Sequence, residues 1–221
     1  TGNDIHNSTA GGSDDWPNKD YLNIWVCNLD SGLLGYATPP SNSILDGDGV
    51  VINYTNFGNS GNNPYHKGRT ATHEVGHWLN LEHLWGAWGF CGDDQVSDTP
   101  KQETSSFNCP GFPSNANSCN TVNSNGDMFQ NYMDYTNDAC MNLFTNGQKA
   151  RMISAINQYR PNMLNHNLCN GVTGLVELDI TKKELVKITD LLGREINKQN
   201  SNTPLFYIYN DGSVEKKIII K

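Results

Sequence analysis

The sequence predicts an α+β fold, and three observations carry that prediction. β-Branched and aromatic runs at residues 21–29 (YLNIWVCNL) and 47–57 (GDGVVINYTNF) read as strands. Two helical segments follow, one over residues 69–79 and one after Thr145, with a long aperiodic stretch between them. After Cys169 the composition shifts: histidine and tryptophan vanish and Val, Ile and Lys gain. This sets a small all-β unit at residues 171–221 behind a first domain at residues 1–170.

Taken in order, residues 1–20 are polar, with GGSDD and Pro17, and read as loop. The two strands come next, and residues 58–68 form a Gly/Asn/Pro-rich loop. A helix starts at Arg69 or Thr70 and runs to about Leu79, with Ala71, Val75, Trp78 and Leu79 available for packing. Residues 84–130 lack periodicity, which is unusual for a compact domain unless the loop is functional or pinned. Thr145 and Gln148 fit a capping box, and the helix behind them carries Ala150, Met152, Ile153, Ile156 and Tyr159 and stops before Pro161. The run PLFYIYNDGSVEKKIIIK reads as two strands joined at Asn210-Asp211-Gly212.

Most of the chemistry is concentrated in residues 73–83, HEVGHWLNLEH. His73 and His77 are four apart, so a helix projects them from one face. Imidazole is a good zinc ligand, and Glu74 stands beside the pair, able to handle the proton of a zinc-bound water. His83 lies too far along to share that face of a straight helix. It becomes a third ligand only if the helix ends and the chain turns back. Three protein ligands plus one water is the form of a catalytic zinc site, whereas structural sites are closed by four. The rival from another class is a non-catalytic protein that keeps the metal site as scaffold; a pure scaffold has no need of Glu74.

Composition bounds the rest. The 221 residues suffice for one domain and a small second one. Net charge is -8; residues 1–170 hold 7 basic and 16 acidic side chains, residues 171–221 hold 8 and 7. That acidity argues against nucleic-acid binding. There is no run of 18 apolar residues, so no membrane span is expected, and the start at Thr1 shows no signal-peptide pattern, as in a mature form or fragment. None of the six cysteines forms a CxxC pair, so disulfides are expected in place of a thiolate zinc ribbon. Cys27 reads as a buried thiol of unknown distance from Cys169. Asp93, Asp94, Asp98 and Thr99 offer hard oxygen ligands suited to calcium; the alternative is a solvated acidic turn.

HEVGHWLNLEH resembles the metzincin signature H-E-x-x-H-x-x-G-x-x-H. Asn80 stands where the signature has glycine, and asparagine is the residue that next best tolerates the left-handed turn required there. NYMDY at 131–135 stands where these enzymes have a Met-turn. The resemblance implies that Met133 floors the three histidines and that Tyr135 reaches toward the metal. The segments GRTATHEVGHWLNLEHLWG, CGDDQVSDTP and NYMDYTNDACMNLFTNGQKARM are similar to the pappalysin family, in particular its bacterial cytophagalysin-like members, over roughly residues 20–160.

That resemblance implies a metzincin-like zincin catalytic domain acting on protein or peptide substrates, exported from a bacterium to its surface or surroundings. Such domains carry well over 72 residues before the zinc helix, so it also implies N-terminal truncation. It implies the disulfides Cys91–Cys119 and Cys109–Cys140, which four cysteines alone do not single out. It gives Val50–Tyr54 the sheet edge that pairs with substrate; the alternative is an interior strand. It makes Asp138 the candidate specificity residue, favouring Arg or Lys after the scissile bond if its carboxylate faces the pocket. Separately, VKITDLLGREI, the hairpin and the basic C-terminus resemble type IX secretion sorting domains, which implies the secretion machinery as a partner.

Overall fold

The computed structural model describes residues 4–29, 32–42, 46–59, 63–86, 91–119, 124–164, 185–190, 195–196, 204–210 and 213–218. Two compact units divide the chain, residues 1–166 and 167–221.

The first unit holds strands β1 (Asn23–Cys27), β2 (Gly35–Ala37) and β3 (Gly49–Asn53), followed by helices α1 (Arg69–Trp78) and α2 (Asn146–Tyr159). The sheet order is β1-β3-β2, with β1 parallel and β2 antiparallel to β3. Every β3 residue is buried, as in a strand covered on both faces. Val50, Val51 and Ile52 lose essentially all solvent contact, each contributing roughly 1.5–3 kcal/mol over an exposed state. β3 is therefore interior and cannot be the edge expected at Val50–Tyr54; the edges of this sheet are β1 and β2, and the sequence reading missed β2. β2 is only three residues long, too short to show alternation.

α1 packs on β2 and β3. The approach is close at Gly35, where a Cβ would lie 2.9 Å from Val51 O and 3.1 Å from Glu74 Cγ. Trp78, at the end of α1, donates its indole N–H to Asp48, 2.9 Å away, just before β3. Arg160 comes from beyond α2, pairs with both Asp48 oxygens at 2.7 and 2.9 Å, and lies 4.0 Å over the Trp78 ring. This buried triad ties both helices to the sheet; removing one partner of such a pair costs about 3–5 kcal/mol.

α2 opens with the capping box read from Thr145 and Gln148. Its packing differs from the apolar positions singled out in the sequence. Ala150 and Ile153 are exposed, while Gln148 and Ala155 are buried. Gln148 is inside because its amide is paired with Asn131, a bond that hydrophobic periodicity does not register.

Between the helices, the described part of residues 91–144 has no helix or strand of its own, only isolated bridges. Cys91 is bonded to Cys119 and Cys109 to Cys140, an interleaved pair. Loops of this size gain roughly 3–4 kcal/mol each from closure. A compact core of Leu81, Leu84 and Met133 lies beneath, packed by Trp85, Met128, Phe144 and Met152.

In the second unit, β4 (Leu185–Thr189), β5 (Pro204–Tyr209) and β6 (Val214–Ile218) form an antiparallel sheet in that order. The predicted turn residues Asp211 and Gly212, and Cys169, lie outside the described residues. Among the described residues, no helix is long and apolar enough to cross a membrane.

Candidate active site

α1 delivers His73, Glu74 and His77. It ends at Trp78 because Asn80 takes φ of 72°, and the bonds Asn80 N to His77 O and Leu81 N to Gly76 O close a Schellman turn. The chain then doubles back and presents His83. Arg151 of α2 fastens this reversal, donating from Nε to Asn80 O at 2.6 Å and approaching Glu82 at 3.6 Å. The sequence reading had no signal for Arg151, whose partner is a backbone carbonyl 71 residues away.

The three histidines converge through Nε2, with separations of 3.1, 3.1 and 3.2 Å. A tetrahedral ion with bonds of about 2.0–2.1 Å needs ligand separations of about 3.3–3.4 Å, so the trio fits zinc with little adjustment. Nδ1 of His73 donates to Tyr132 O at 2.7 Å, and Nδ1 of His77 to Leu81 O at 2.8 Å. A donating Nδ1–H leaves the Nε2 lone pair free for a metal. Burial, together with the neighbouring histidines, holds His73 well below the usual imidazole range and pushes His83 down to about 3. Burial also lowers His77, against the opposing effect of its bond to Leu81. Neutral imidazole is the form that binds metal. Among the described residues, no other cluster of histidine, cysteine or carboxylate groups has this convergence.

Glu74 is 8 % exposed, and burial pushes its carboxyl up to about 7. Met133 is fully buried below α1. It lies so close that a Cβ at Gly76 would come within 2.5 Å of its sulfur, which explains the glycine inside HEVGH. Tyr135 places its hydroxyl 3.0 Å from His83 Nε2. Burial, then the nearby Glu74 and Asp134 carboxylates, raise its pKa, so it stays a hydrogen-bond donor.

The three histidines, Glu74 and Tyr135 line a cavity of about 540 Å³ that extends past β2 to Tyr65, Phe107 and Asp138. Asp138 is almost fully buried, and one of its oxygens accepts from Lys67 N at 2.7 Å and Arg69 N at 3.1 Å. It thus caps α1, whose own N-cap, Gly68, has no side chain to offer. Asp94 and Thr99 meet through bonds of 2.7 and 2.8 Å. Asp98 turns to the start of α2, accepting from Thr145 Oγ1 and Gly147 N.

Met133 and Tyr135 are held by buried polar side chains whose part in this the sequence reading did not assign. Asn131 accepts from Met133 N and is locked to Gln148, and Asp134 accepts from Gln102 Nε2, Ser106 N and Tyr135 N. All four side chains are fully buried. Apart from Gln148, read as part of the capping box, their only trace in the sequence is polar residue types, common throughout this chain.

Known proteins resemble this chain in sequence and fold. The chain is 51% identical to mature mirolysin of Tannerella forsythia, whose structure holds a cleaved peptide; the match covers 72% of this chain and 62% of that one, with a TM-score of 0.67. It is 40% identical over 146 residues to an extracellular metalloprotease of Arthroderma otae, covering 63% of this chain and 52% of the relative. An extracellular metalloprotease of Uncinocarpus reesii is 42% identical over 146 residues, covering 63% and 49%. The chain spans about half the length of the curated relatives it matches. Residues 6–157 match the model of the peptidase M43 family, pregnancy-associated plasma protein-A, and the chain belongs to that family.

Proposed function

We propose that this chain carries the catalytic centre of an exported zinc endopeptidase. The observation that carries the reading is the convergence of three Nε2 atoms within 3.2 Å, with Glu74 on the same helix and Tyr135 against the third imidazole. Zinc, when bound by His73, His77 and His83, supplies Lewis acidity that activates water and polarises the scissile carbonyl. Glu74 takes the proton of the attacking water and returns it to the leaving amine. Tyr135 donates its hydroxyl to the developing oxyanion. An extended peptide pairs with β2, the sheet edge that lines the cavity.

Glu74→Gln is the direct test. Zinc stoichiometry stays at the wild-type level while peptide hydrolysis falls about 10²- to 10⁴-fold. A mutant with near wild-type turnover would remove Glu74 from the chemistry. A wild-type protein that holds zinc and cleaves nothing would favour the scaffold alternative.

Asp138 supports a preference for Arg or Lys immediately after the scissile bond, since it lines the cavity and a buried carboxylate favours a cationic partner. A cleavage-site profile should show that enrichment, and Asp138→Asn should flatten it. Apolar residues dominating the position would end the idea. The second unit is proposed as the sorting domain recognised by secretion machinery; deleting residues 171–221 then abolishes export in the producing bacterium.

A further inference from the structure

We infer that Trp85 is the positioning residue for His83; the inference rests on the reading of the trio as a zinc site. His73 and His77 are each oriented by an Nδ1–H bond to a carbonyl. Among the described residues, no group bonds Nδ1 of His83. Its ring lies instead against the Trp85 indole, with centroids 4.5 Å apart and planes 11° from parallel. The pairing arises locally. Gly86 N donates to His83 O at 2.8 Å and closes a turn that sets residues 83 and 85 side by side. Gly86 sits at φ of 73°, which suits glycine. Tyr135 meets both rings at 5.0 Å, with planes 77° and 74° apart.

The physical problem is rotation. An imidazole turns about its Cβ–Cγ bond in a broad torsional well unless something fixes it. A bond at Nδ1 fixes it for two ligands. For the third, the stacked indole fixes the ring plane and so the direction of Nε2, which lies 3.1 and 3.2 Å from its counterparts. Trp85 is in turn packed on the core of Leu81, Leu84 and Met133, so the indole is itself held.

The test compares Trp85→Leu with Trp85→Phe in the full chain. Zinc affinity is measured by competition with a chromophoric chelator, and the metal-free melting temperature is recorded beside it. Outer partners of metal ligands set affinity by about 10- to 100-fold, so Trp85→Leu should weaken zinc binding by that factor. Trp85→Phe retains a stackable ring and should recover most of the loss. The visible spectrum of the cobalt-substituted protein should shift in the Leu variant and hold in the Phe variant. Equal zinc affinity in the two variants overturns the inference, as does a Leu variant within about threefold of wild type. If Trp85→Leu does not fold, Trp85→Met takes its place with the same expectation. A wild-type chain that binds no zinc, or one indifferent to His83→Ala, instead overturns the underlying reading of the site.

Discussion

Residues 69–83 and residues 91–144 each contribute part of the site, and they are held by different means. The first region places His73, Glu74 and His77 by helical periodicity and His83 by a single left-handed residue. The second places Met133, Tyr135 and Asp138 with no helix or strand among its described residues. It relies on two disulfides and on buried polar side chains that bond the backbone directly. Backbone geometry is repetitive and survives most single changes. A side-chain hub serves several donors at once and fails at one point.

That contrast is open to breakage. Asp134→Ala removes the acceptor for three donors, each costing about 1–3 kcal/mol when left buried and unpaired. The melting temperature should drop by roughly 10 °C. Thr72→Ala, within α1, should stay within about 0.5 kcal/mol of wild type. Equal losses in the two variants would erase the distinction between the regions.

A smaller effect sharpens the first half. Asn80→Val forces a β-branched residue into the left-handed region, at about 1–2 kcal/mol, or roughly 2–8 °C. It should also weaken zinc binding, because His83 follows from that turn. Asn80→Gly should be neutral in both assays. If the valine variant keeps full metal affinity, the turn is not what delivers the third histidine.

The smallest effect concerns Asp98. Burial pushes its carboxyl up, but the bonds from Thr145 and Gly147 win and hold it below its ordinary value. A depressed acid stabilises the fold above its unfolded pKa and loses that contribution as pH falls through the folded pKa. Asp98→Ala should therefore lower stability by under about 1 kcal/mol at neutral pH. The difference should vanish below the ordinary carboxylate range; a gap that persists there means the carboxylate charge is not involved. Calcium at Asp94, Asp98 and Thr99 would have to displace the bonds these residues already make. Millimolar calcium should then raise the wild-type melting temperature and leave Asp98→Ala unmoved. An absence of shift in both favours the hydrogen-bonded turn.

The same contrast explains what could be read from the sequence. HEVGHWLNLEH was legible because helix geometry converts spacing into direction, and because Asn80 has a steric meaning at one position. The box at Thr145 and Gln148 was legible for the same local reason. β2 was not, being three residues long. β3 was legible as a strand, but the choice between edge and interior stayed open, since its neighbours come from elsewhere in the chain. Arg151, Gln102 and Asp134 act on partners dozens of residues away, and nothing in a one-dimensional pattern marks those pairings.

Asp138 joins the two regions, and its double employment restricts how this pocket can change over time. The carboxylate that lines the cavity also closes the amino end of the helix bearing the histidines. A lineage that swaps it for an apolar residue to accept new substrates loosens the support of its own metal ligands in the same step. Asparagine escapes that conflict by keeping an acceptor while shedding the charge. If Asp138 sets the preference as proposed above, drift at this position is channelled toward amide side chains, or must wait until another residue has taken over the cap.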